Sequence, residues 1–238
     1  VLEIINENKL NDNELVLIKD ILKDLEVNYI SSLDLSEFKG IKIVDDNYLH
    51  QDSDGRLEKE QILLPCTKIK KALSNVYNDD YKKLRTTIYH ELVHLDFKNK
   101  YPKLHNLYDE LNLNEEYDKA IPIQIWAEFN AQKESEKIAT ESAIKIYFKS
   151  FCDYNWNLHN ELDFIKLKKH LPYIIVRING RHLNREKSLS LIRNDYVKKI
   201  IIRVEEILYK LSNLEYEDSY DFLKELCDYL ELEQGKYN

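Results

Sequence analysis

Asp79-Asp80-Tyr81-Lys82-Lys83-Leu84-Arg85-Thr86-Thr87-Ile88-Tyr89-His90-Glu91-Leu92-Val93-His94-Leu95-Asp96-Phe97 is the stretch whose reading decides the fold of this 238-residue chain. At 100° per residue, Tyr81, Leu84, Ile88, Leu92 and Leu95 fall on one arc, as they do in a helix that buries one face. The acidic start suits the positive end of a helix dipole. His90, His94 and Thr87 occupy a different arc, roughly opposite, where a helix lines a cleft rather than the core. Two histidines four residues apart on a helix project about one turn apart, so both imidazoles reach a single cation. Glu91, beside the first of them, is then placed to take a proton from water at that cation.

Working outward, Asn13 is positioned to cap a helix over 14–26, with Leu15, Ile18, Leu22 and Leu25 at helical spacing. Gly40 precedes the β-branched run Ile41-Lys42-Ile43-Val44, which reads as a strand. Asp52-Ser53-Asp54-Gly55 is turn chemistry, and Gln61-Ile62-Leu63-Leu64 reads as a second strand stopped by Pro65. Downstream of the His90–His94 helix the sequence is polar and loop-like, with Tyr101-Pro102 ending any continuation. Pro122 fits the first turn of a new helix, whose pattern runs from about 123 to 148. Mainly helices follow, including the apolar run 197–211 and the amphipathic stretch 220–232. Tyr173-Ile174-Ile175-Val176 suits either a strand or a buried helical turn. The fold class expected is α+β and predominantly helical: a compact domain with a small sheet before the active helix over 1–155, and a helical C-terminal region over 156–238.

A zinc site with an open position needs a third protein ligand. The extended pattern HExxHxxGxxH would demand Gly and His where this chain has Phe97 and Lys100, so that completion fails. His105 follows His94 by eleven residues and is a weaker candidate. Glu128, in Ile125-Trp126-Ala127-Glu128-Phe129-Asn130-Ala131-Gln132, has apolar surroundings and two small neighbours that let helices approach closely. Asp109, Glu110, Glu115 and Glu116 are the fallback ligands.

With HExxH on one helix and Glu128 on a following one, residues 41–140 resemble a zincin of the gluzincin type. They are loosely similar to the compact ImmA/IrrE-type metallopeptidases, whose Glu-x-x-Ala element Glu128 and Ala131 match. The apolar run that commonly follows that element is replaced here by Gln132-Lys133-Glu134-Ser135, and no helix-turn-helix is evident. The resemblance implies one zinc per chain held by His90, His94 and Glu128, with Glu91 as the base that activates zinc-bound water to hydrolyse a peptide bond. It further implies that the strand pair before the active helix offers an edge to an extended substrate. Gln132, four residues after Glu128, occupies the place of a carboxylate that orients the first histidine; its amide oxygen can serve, or the side chain can face solvent. The oxyanion donor is sought among Tyr173, Arg177 and His182. His159 and His170 read as surface residues, and Cys66 as a structural thiol.

The net charge of −8 lowers the expectation of a nucleic-acid partner. No run approaches 18 apolar residues, so no membrane span is expected. Three cysteines without CxxC spacing fit reduced thiols and a cytoplasmic location. The expected partner is an intracellular protein or peptide substrate, with no nucleic acid and no membrane; the sequence does not reveal the oligomeric state. Two other readings stand beside the peptidase: a catalytically silent zincin-like scaffold that binds a protein, and a helical interaction protein with an accidental motif.

Overall fold

The computed structural model of the chain describes residues 3–6, 9–49, 54–75, 78–154, 156, 158, 161–214 and 218–236. Among them are ten α-helices, a short 3-10 helix and one four-stranded sheet, so the expectation of a mostly helical α+β fold holds. Backbone proximity groups the chain into two units, residues 1–100 with 137–143, and 101–136 with 144–238.

The first unit is built on the sheet. Its strands are β1 (Ile4–Ile5), β2 (Gly40–Val44), β3 (Arg56–Glu58) and β4 (Gln61–Pro65), in the order β1-β2-β4-β3. β1, β2 and β4 are parallel, and β3 is an antiparallel edge strand. The sequence indicated β2 and β4; β1 and β3 are too short to signal by alternation. Gly40 opens β2 at φ +122°, and a Cβ there would lie 2.2 Å from the Glu3 carbonyl oxygen, so only glycine lets β1 pair at this register. Lys59 and Glu60 both have positive φ, 47° and 63°, the geometry of a two-residue hairpin turn that follows the strand twist. The Glu60 carboxylate binds Lys39 at 2.9 Å and also Lys98. Those two ammonium groups hold its pKa down at about 2. The turn expected over 52–55 falls largely outside the described residues.

Two further helices of this unit are α1 (Asp12–Asn28) and α2 (Cys66–Leu73); α2 packs on β4, and α1 packs on α2. The cap of α1 is Asn11, two residues before the expected Asn13, because Glu14 closes a reciprocal capping box with it. The chain next enters α3 (Asp79–Lys100), which packs on α2, β3 and β4. Leu84, Ile88, Leu92 and Leu95 are buried on one face of α3, as their spacing predicts. Asp96, also buried, accepts the Asp34 backbone N–H at 2.6 Å and pairs with Lys100 at 2.9 Å, fixing the far end of the helix.

The second unit is helical: α4 (Pro102–Leu113), α5 (Tyr117–Ser135), α6 (Glu141–Asp153), α7 (Glu161–Asn179), α8 (Arg185–Leu191), α9 (Asp195–Ser212) and α10 (Lys224–Gln234), with the 3-10 helix at Tyr220–Leu223. The polar stretch after Lys100, expected as a loop, is the helix α4, with Pro102 at its first position. Pro122 lies inside α5 rather than in its first turn, since that helix begins at Tyr117. The single long helix expected over 123–148 is two, because α5 ends at Ser135 and Thr140 Oγ1 accepts the Ala143 N–H ahead of α6. Tyr173–Val176 is helical, in α7. The core of this unit holds Phe129 of α5, Leu167, Leu171 and Ile174 of α7, and Ile200 and Val204 of α9, all fully buried.

Candidate metal centre

His90, Glu91 and His94 stand on the half-buried side of α3, away from the buried arc of Leu84, Ile88, Leu92 and Leu95. The two imidazole Nε2 atoms are 3.0 Å apart, with the rings at 84° to each other. Two nitrogens bound to one tetrahedral zinc at ordinary bond lengths would stand about 3.3 Å apart. The pair is therefore spaced close to what a shared cation needs. Glu91 is held by the neighbouring strand: its Oε2 accepts the backbone N–H of Leu57 in β3 at 2.8 Å. Gly55, just before β3, makes that approach possible, since a Cβ at this position would lie 2.9 Å from Thr87 Cγ2 on α3.

Glu128 and Gln132 are both half-buried on α5. The Tyr173 hydroxyl, on α7, donates to Glu128 Oε2 at 2.8 Å. Behind this pair lies an aromatic and basic cluster. The Tyr147 ring stacks on Tyr173 with centroids 5.8 Å apart, and the Arg177 guanidinium lies over the Tyr147 ring at 3.9 Å. Tyr147 Oη is 2.6 Å from His170 Nδ1. Burial pushes the Tyr147 phenol up to about 12, against the pull of Arg177. Burial, with Arg177 and Lys169, lowers the His170 pKa from its usual 6.5, so the ring is neutral at pH 7.

Among the described residues, His90, His94 and Glu128 form a group able to hold a metal ion: one ligand atom from each lies within 4.8 Å of the others. Two imidazoles and a carboxylate are a donor set that suits zinc and leaves a coordination position open. His105, Asp109, Glu110, Glu115 and Glu116 are not in that group. His105 instead faces Asp109, with Nε2 and Oδ2 3.5 Å apart.

Of the residues considered as oxyanion donors, Tyr173 binds Glu128, Arg177 is stacked on Tyr147, and His182 Nε2 accepts from Arg181 Nε at 2.8 Å on the surface. His170 is not the surface residue its sequence context implied, because it packs among Tyr147, Phe151 and Trp156. His159 lies outside the described residues. Cys66 Sγ approaches the Lys9 carbonyl oxygen at 3.5 Å, as a structural thiol does. The sequence reading had no reason to single out Leu57 or Tyr147. The first acts through its backbone, and the second is one of seventeen tyrosines.

Comparison with protein-family models, with curated proteins and with solved structures finds no match for this chain.

Proposed function

We propose that this chain is a zinc-dependent metallopeptidase in which His90, His94 and Glu128 hold the metal and Glu91 is the general base. The observation that carries the proposal is the gathering of two imidazoles and a carboxylate within 4.8 Å, with a second carboxylate in sequence next to the first histidine. Zinc in such a site supplies Lewis acidity toward a peptide carbonyl and makes water a nucleophile near neutral pH. Glu91 takes the proton of that water and returns it to the departing amine. Its Oε2 is oriented by the Leu57 N–H, which fixes the carboxylate without neutralising it. Tyr173 holds Glu128 by one oxygen and so sets how the carboxylate is presented.

The test joins metal analysis with peptide turnover. Purified chain should carry one zinc, lost in His90→Ala and in His94→Ala. Glu91→Gln should keep the zinc and lose turnover by a factor on the order of 10² or more, the range that general-base catalysis contributes. Zinc binding without cleavage of any peptide in a diverse library would replace the peptidase with a silent scaffold. Absence of stoichiometric zinc would end both readings.

A further inference from the structure

Backbone geometry decides which way Leu57 faces. The turn residues Lys59 and Glu60 both have positive φ, so the pair that closes the turn, Glu58 and Gln61, is hydrogen-bonded between β3 and β4. Bonded and non-bonded pairs alternate along an antiparallel ladder, which makes Leu57 and Ile62 a non-bonded pair. The N–H and carbonyl of Leu57 therefore point away from β4, to the side on which the described residues place no further strand. The carbonyl oxygen accepts no hydrogen bond among the described residues. The N–H is taken by Glu91 Oε2 at 2.8 Å.

An edge strand with outward N–H and carbonyl groups is a template for an added strand. On β3 that template is half closed, because a carboxylate sits where the carbonyl of an incoming chain would have to be. We propose that Glu91 latches the β3 edge in the unliganded chain, and that an extended peptide substrate opens the latch by pairing with Leu57. This rests on the metallopeptidase reading given above, which supplies both the occupant and the use of the released carboxylate.

The exchange leaves no backbone group unanswered. The Leu57 N–H passes from Glu91 to a backbone carbonyl of the peptide, and the Leu57 carbonyl gains a peptide N–H. The released carboxylate can turn about its side-chain torsions toward the attacking water, so the base is delivered only when a substrate is seated. A helical peptide offers no strand to pair, and a chain with blocked N–H groups cannot answer the Leu57 carbonyl. If Glu91 served only to fix β3 against α3, its loss would loosen the strand and would not improve peptide binding.

Equilibrium binding to the full-length, zinc-supplemented chain tests the latch. The probe is a fluorescein-labelled hexapeptide of alternating Thr and Val, a sequence that favours extended backbone. Glu91→Gln keeps an oxygen able to accept from Leu57 and is the latched reference. Glu91→Ala and Glu91→Ser are too short to reach the strand, and none of the three is expected to consume the peptide. Both short variants should bind it roughly fivefold or more tightly than Glu91→Gln, the size of one backbone hydrogen bond. Adding Leu57→Pro should remove the gain, since proline is tolerated at an outward-facing edge position but has no N–H to offer. The N-methylated peptide should show no gain either. Equal affinity of Glu91→Gln and the short variants, a gain that survives Leu57→Pro or N-methylation, or no binding by any variant would overturn the latch. Short variants that dimerise without gaining affinity would assign the edge to a second copy of the chain and overturn it equally. Zinc content and wild-type turnover are read on separate samples. Their absence beside a gain in affinity would count against the metallopeptidase and not against the latch.

Discussion

At the scale of single residues, the legible part of the site was the part written locally. His90, Glu91 and His94 declare themselves because their chemistry and their helical spacing coincide within five residues. Glu128 was reachable by its apolar context, although any one of many glutamates competes for that role. Tyr173 was one of three named donors, and the structure gives it a definite contact, the hydrogen bond to Glu128. Tyr147 and His170 were not legible as a pair, since they meet only when α6 and α7 are folded. The Tyr173 contact has a measurable consequence. Removing the hydroxyl in Tyr173→Phe should weaken zinc binding roughly tenfold, the low end of what outer-shell hydrogen bonds to ligands contribute. A competitive chelator titration checks it, with circular dichroism to establish that the fold is retained. Unchanged zinc affinity would show that Tyr173 does not position the carboxylate.

At the scale of elements, strongly periodic segments were read well and short or polar ones were not. α3 was expected to Phe97 and extends to Lys100, and the apolar run 197–211 lies within α9. β1 and β3 have two and three residues, fewer than alternation needs to become visible. α4 hid in a polar stretch because only Leu104 and Leu111 of it are buried, one at each end. Pro122 misled in the other direction. It marks helix starts on average, but here α5 already has five residues before it. Gly40 offers the sharpest test at this scale. Ala at this position would have to adopt a positive φ and place a Cβ 2.2 Å from the Glu3 carbonyl oxygen. Gly40→Ala should therefore cost about 3 kcal/mol, through backbone strain and the displaced β1 strand. Urea unfolding measures it, and a loss under 1 kcal/mol would mean that β1 does not pair at this register.

At the scale of the whole molecule, composition correctly pointed to a helical α+β chain, and no helix among the described residues is long and apolar enough to cross a membrane. Net charge alone concealed how unevenly the charges are spread. In the second unit, half-buried Arg177 has buried Nε and Nη1 atoms, and half-buried Glu136 a buried Oε1, with no hydrogen-bond partner among the described residues. Burial raises the Glu136 carboxyl from 4.5 to about 7, outweighing the opposing pull of Arg177 and Arg181. The folded state thus keeps a proton that the unfolded chain releases, so this group's favourable contribution is full below about pH 4.5 and lost as pH climbs to about 7. Glu136→Gln should flatten that part of the stability profile. The variant should match the parent near pH 4.5 and exceed it at pH 8, as read by urea midpoints across pH. A variant no more stable than the parent at pH 8 would contradict it.

The bond from the Leu57 amide to Glu91 makes one backbone proton a spectroscopic window on the proposed general base. An amide hydrogen donated to a carboxylate resonates downfield and exchanges slowly. In a nitrogen-15-labelled sample, the Leu57 cross-peak therefore reports whether that carboxylate is charged, turned away or replaced by an amide, without any substrate being present. Metal loading and peptide binding can each be followed at a nucleus that belongs to neither ligand.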